Sequence, residues 1–111
     1  MKWWPALVQC AVKGGSSETE LRAKIAAGHT VIWDAGAGCF ALDRASDGAC
    51  VVWLGVGDLR TLVAEENAIA AWAREQGCTK VRIEGRKGWL RVFPHWQASE
   101  SDGVTVLERT I

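Results

Sequence analysis

The stretch from Ala49 to Trp96, ACVVWLGVGDLRTLVAEENAIAAWAREQGCTKVRIEGRKGWLRVFPHW, constrains the fold most. Its apolar run Val51-Val52-Trp53-Leu54 reads as a strand and ends in Gly55-Val56-Gly57-Asp58. Asp58 is a good N-cap residue for the helix-period segment that follows. Leu59, Leu62, Val63, Ile69, Ala70 and Ala73 recur on one side of that helix, and Gly77 stops it. Lys80 to Glu84 alternates polar and apolar residues, as a strand with one wet face does. The loop Gly85-Arg86-Lys87-Gly88 then leads into a short helical segment ending at Pro94. Strand, helix and strand in this order make one βαβ unit if the two strands are parallel neighbours.

The remaining segments attach to this unit. Pro5 suits a first helical position. Trp4, Leu7, Val8 and Ala11 recur at helical spacing, and Gly14-Gly15 closes a helix of about Pro5 to Lys13. Ser17-Glu18-Thr19-Glu20 has the form of a capping box for a second helix running to about Ala27, with Leu21 and Ile25 inward and Gly28 as its stop. Thr30–Asp34, Cys39–Asp43 and Ala49–Leu54 form three strands joined by Ala35-Gly36-Ala37-Gly38 and Ala45-Ser46-Asp47-Gly48, an antiparallel meander. The third strand is apolar on both faces, which places it centrally with cover on both sides. Residues 97 to 103, QASESDG, read as a polar loop before a final strand from Val104 to Ile111.

Composition excludes several classes. At 111 residues the chain suffices for one domain spanning 1–111, with a core that needs no metal or disulfide. Thirteen basic residues against thirteen acidic ones leave a formal net charge of zero, so bulk electrostatics favours neither nucleic acid nor an anionic membrane. No apolar run reaches membrane-spanning length. Met1-Lys2-Trp3-Trp4-Pro5 has no signal-peptide character, so the expected location is the cytoplasm of the host cell. Cys10, Cys39, Cys50 and Cys78 show no CxxC pairing, and neither His29 nor His95 stands at zinc-finger spacing from them. They read as reduced, small core residues, with no metal site. Seven tryptophans with no tyrosine supply large core or interface side chains.

The element order resembles that of the GNAT (acyl-CoA N-acyltransferase) fold without its first strand: an α/β protein whose mixed, mostly antiparallel sheet is flanked by helices. More narrowly, Gly57-Asp58-Leu59, Ala71-Trp72-Ala73-Arg74, Gly77-Cys78, Gly85-Arg86-Lys87-Gly88-Trp89 and Phe93-Pro94 resemble small phage-encoded proteins with a GNAT-like fold. The resemblance covers about Leu21 to the end. It implies a V-shaped opening between the end of the third strand and the strand at Lys80–Glu84. It also implies a possible site of action in a phage particle.

GNAT enzymes hold the CoA pyrophosphate on backbone amides at a helix start, an anion site of general physical origin. In this chain the matching residues are Gly55, Val56, Gly57 and Leu59, which would serve if acetyl-CoA binds. The family's Arg/Gln-x-x-Gly-x-Gly/Ala run is missing, however, and Asp58 places a carboxylate where the phosphate would go. The family's Tyr acid has no counterpart either; His95 is the one weak substitute in that segment. The third strand offers no carboxylate as base. Arg86, Lys87, Trp89 and Arg91 gather around one loop and are candidates for partner binding. Gly85-Arg86-Lys87-Gly88 also has the GXXG form of KH domains, but a strand precedes it here where KH has a helix. Two expectations follow. The first is a non-catalytic protein without a cofactor, acting through a protein partner or self-association in particle assembly. The alternative is an acetyl-CoA-dependent N-acetyltransferase.

Overall fold

Residues 1–85 and 88–111 are described by the computed structural model. Helices α1 (Trp4–Lys13) and α2 (Glu18–Ala26) precede strands β1 (Thr30–Asp34), β2 (Gly38–Arg44) and β3 (Ala49–Gly57). Helix α3 (Thr61–Glu75), strand β4 (Lys80–Gly85), the short helix α4 (Trp89–Val92) and strands β5 (Gln97–Ser101) and β6 (Val104–Thr110) complete the chain. The strands form one mixed sheet in the order β1-β2-β3-β4-β6-β5. Only β3 and β4 run parallel; every other pair is antiparallel. The crossover through α3 and the meander of the first three strands thus form as the apolar pattern predicts.

The two sheet faces carry separate cores. Phe40, Leu42, Cys50, Val52, Val81, Ile83 and Leu107 pack beneath α3 together with Phe93 and Trp96. Cys39, Ala41 and Leu54 pack beneath α1 and α2 against Leu7, Ala11 and Leu21. Ser17 caps α2 as its sequence indicates, its hydroxyl accepting from the Glu20 amide at 3.1 Å. The reciprocal half of the box differs: the Glu20 carboxylate accepts from the Ser16 hydroxyl at 2.7 Å.

Four sequence expectations are corrected. Residues 97 to 101 are not loop but strand β5, and Asp102-Gly103, both at positive φ (51° and 78°), form the tight turn to β6. β5 is exposed along its whole length, so it has no apolar face to leave a period in the sequence. β3 runs three residues beyond Leu54, because Gly55, Val56 and Gly57 stay paired with Phe40, Cys39 and Gly38. α3 begins at Thr61, without a side-chain cap, so Asp58 does not cap it. Leu59 and Val63 are exposed, while Leu62, Ile69, Ala70 and Ala73 carry the buried face of α3.

Candidate functional site

The site grows from a fault in β3. Ala41 pairs with Leu54 and Leu42 with Val52, which leaves Trp53 as the extra residue of a β-bulge. A bulge bends its strand and reverses which face later residues meet. Accordingly Cys50 and Val52 join the core under α3, whereas Leu54 joins the core under α1. The parallel pairing with β4 stops at the same point, at Val52 opposite Ile83. Beyond it β3 continues to Gly57 and β4 to Gly85, with no strand pairing between them.

The gap is a cleft of about 520 Å³, a size that suits a small molecule or a short chain segment. Trp53, Leu54 and Gly55 line it from β3, Ile83, Glu84 and Gly85 from β4, and Trp89 and Val92 from α4. Cys10 of α1 and Leu59 and Arg60 of the β3–α3 connection also line it. The lining draws on both cores, so the cleft opens through the plane of the sheet. Close packing fixes its floor. A side chain at Gly55 would stand 3.2 Å from Leu59 Cδ2 and 3.3 Å from the Phe40 ring. The Cys10 thiol donates to the Gly55 carbonyl at 3.9 Å, and Lys24 Nζ caps the Trp53 ring at 3.9 Å from its centroid.

The amides at the start of α3 have partners within the chain. The Arg60 amide donates to Asp58 Oδ1 at 3.0 Å. The amides of Thr61, Leu62 and Val63 donate to the carbonyls of Asp58, Leu59 and Arg60, each at 3.1 Å. The donors that a helix start leaves free are therefore already occupied. Asp58 also pairs with the Arg60 guanidinium at 3.0 and 2.9 Å, and that hydrogen bonding holds its carboxyl below the usual range.

The candidate residues separate in space. Gly55 and Leu59 reach the cleft; Val56 packs against the core under α1, and Gly57 lies against Trp3 and the Ala37 carbonyl. Trp89 lines the cleft partly buried, packed against the core under α3 and stacked on Phe93 at 6.1 Å. Phe93 and Trp96, 4.6 Å apart, are buried and anchor the α4 segment in the core. Arg91 is exposed. Arg86 and Lys87 lie outside the described residues.

His95 lies outside the cleft lining. Its Nε2 stands 3.1 Å from Glu66 of α3, which also accepts from Arg109 of β6 at 2.7 Å. Burial raises the Glu66 carboxyl, but His95, the nearby Trp96 N–H and Arg109 outweigh it and hold the group below its ordinary value. Among the described residues the Trp96 N–H completes no hydrogen bond. Among the ionisable side chains of the cleft lining are Cys10, Arg60 and Glu84. Cys50 is remote from solvent chemistry: burial first, then Cys78 and Asp43, push its thiol up to about 12.

Sequence reasoning missed Cys10, Trp53, Glu84 and Val92 as cleft residues. Glu84 was within reach of a general rule, since ligands in such sheets gather beyond the carboxyl ends of parallel strands. Cys10 leaves no such sign. A comparison with protein-family models finds no match, and comparisons with curated proteins and with solved structures find none either. Among the described residues no group of His, Cys, Asp and Glu could hold a metal, and no helix is long and apolar enough to cross a membrane.

Proposed function

We propose that this is a GNAT-like protein without acyl-transfer activity, whose opening between β3 and β4 serves contacts with a protein partner. The resemblance to small phage proteins suggests particle assembly as the setting. One observation carries the reading: the amides at the start of α3 are taken by Asp58, Leu59 and Arg60, and a carboxylate stands among them. A pyrophosphate arriving there would have to break those bonds and approach Asp58 against its charge. The cleft itself is lined mainly by apolar and aromatic side chains, which suits anchoring rather than proton transfer.

Calorimetric titration with acetyl-CoA tests the reading directly. The expected result is no saturable heat at micromolar protein. Saturable binding in the micromolar range would restore the alternative, an acetyl-CoA-dependent N-acetyltransferase.

A further inference from the structure

The described ionisable groups of the cleft are not equivalent. Arg60 is held by Asp58 in two hydrogen bonds, so that pair presents little net charge. Glu84 is exposed at the end of β4 and makes no ion pair among the described residues. The wall opposite is polypeptide. From Trp53 to Gly57, β3 pairs with β2 on one side and with no strand on the side of β4. A sheet edge of this kind is a template for an added strand. Trp53, Trp89, Val92 and Leu59 offer apolar contacts to the side chains such a strand would present.

From these features we infer that the cleft takes an extended segment of the protein partner, laid as a strand along β3 beyond the Trp53 bulge, with a Lys or Arg of that segment opposite Glu84. The inference rests on the protein-contact reading above and names the partner's chemistry: extended, apolar in alternation, and cationic at one position. Backbone pairing supplies register, the tryptophans supply apolar contact, and Glu84 selects charge. A carboxylate beside an apolar wall disfavours an acidic residue there, so selection acts by repulsion as well as attraction.

The test uses the full chain and short acetylated, amidated peptides of alternating apolar and polar residues, with Lys, Gln or Glu at the central position. Fluorescence anisotropy should rank them Lys, Gln, Glu, with successive affinities differing by up to about fivefold, as expected for one partly solvated pair. In Glu84→Lys the order should reverse, with thermal unfolding checked to show that the surface change leaves the fold intact. Backbone N-methylation along the Lys peptide should abolish binding at alternate positions only. Binding without charge preference, a preference that survives Glu84→Lys, or uniform tolerance of N-methylation overturns the inference while leaving the protein-contact reading in place. Failure of every peptide to bind also overturns it. The acetyl-CoA titration decides the broader reading independently.

Discussion

Gly38 and Gly57 are opposite each other where β2 begins and β3 ends, and both are there because backbone comes too close for anything larger. A β-carbon on Gly57 would lie 2.6 Å from both the Ala37 carbonyl and Trp3 Cη2, and its φ of +78° is unfavourable for other residues. One on Gly38 would lie 2.3 Å from Thr61 Oγ1 and 2.6 Å from the Asp58 carbonyl. Gly38→Ala and Gly57→Ala should each lower stability by about 1–3 kcal/mol, the usual range for forced overpacking. Chemical denaturation checks this, and an unmoved midpoint in both would refute the packing account. The tryptophan at the cleft behaves differently from the aromatics beneath it. Trp89→Ala should cost about 2 kcal/mol, since the ring is only partly buried, whereas Phe93→Ala should cost about 3–5 kcal/mol as a core truncation. Equal losses in the two variants would show that Trp89 is the anchor of α4 after all.

At the scale of elements, charged side chains tie together pieces that the hydrophobic pattern leaves independent. Arg82 of β4 joins Asp47 in the turn before β3 to Glu108 of β6, the latter at 2.9 Å, and Lys80 reaches Glu108 at 3.3 Å. Glu66 ties α3 to β6 through Arg109 and to the segment after α4 through His95. The hydrogen bond from Arg82 lowers the Glu108 carboxyl more than partial burial raises it, so both glutamates titrate below their ordinary value of 4.5 in the folded chain. A carboxyl depressed by folding contributes stability above its unfolded pKa and loses it as pH falls through the folded one. The melting temperature should therefore drop as pH is lowered below about 4.5, and Glu66→Gln should flatten part of that acid limb. A melting temperature independent of pH in this window in the parent chain would contradict the linkage.

For the whole molecule, sequence and tertiary structure settled different things. Apolar patterning determined α1, the meander, the central place of β3 and the α3 crossover to a parallel β4, because each of those elements must bury a face and its pattern records which one, whereas α2, which buries only Leu21, was marked by its Ser17 cap. Elements that bury nothing left no such record. β5 is exposed throughout, and only the Asp102-Gly103 turn in the chain marks the hairpin it belongs to. The site was legible in outline alone. An opening between these strands is an expectation of the resemblance; in the structure Gly55, Leu59 and Trp89 line the cleft between β3 and β4, and Val56 and Gly57 do not. Its charge and shape were decided by contacts between residues distant in the chain. Cys10 arrives from α1, forty-five positions from the Gly55 carbonyl it meets. Asp58 turns back on Arg60 instead of capping α3, because Gly57 remains in the sheet and the chain needs Asp58 to Arg60 to leave it. Trp53 becomes a bulge only because Ala41 and Leu42 pair on either side of it. A sequence states which side chains prefer burial; which strand pairing ends where, and so where a cleft opens, is fixed only when the whole sheet is assembled.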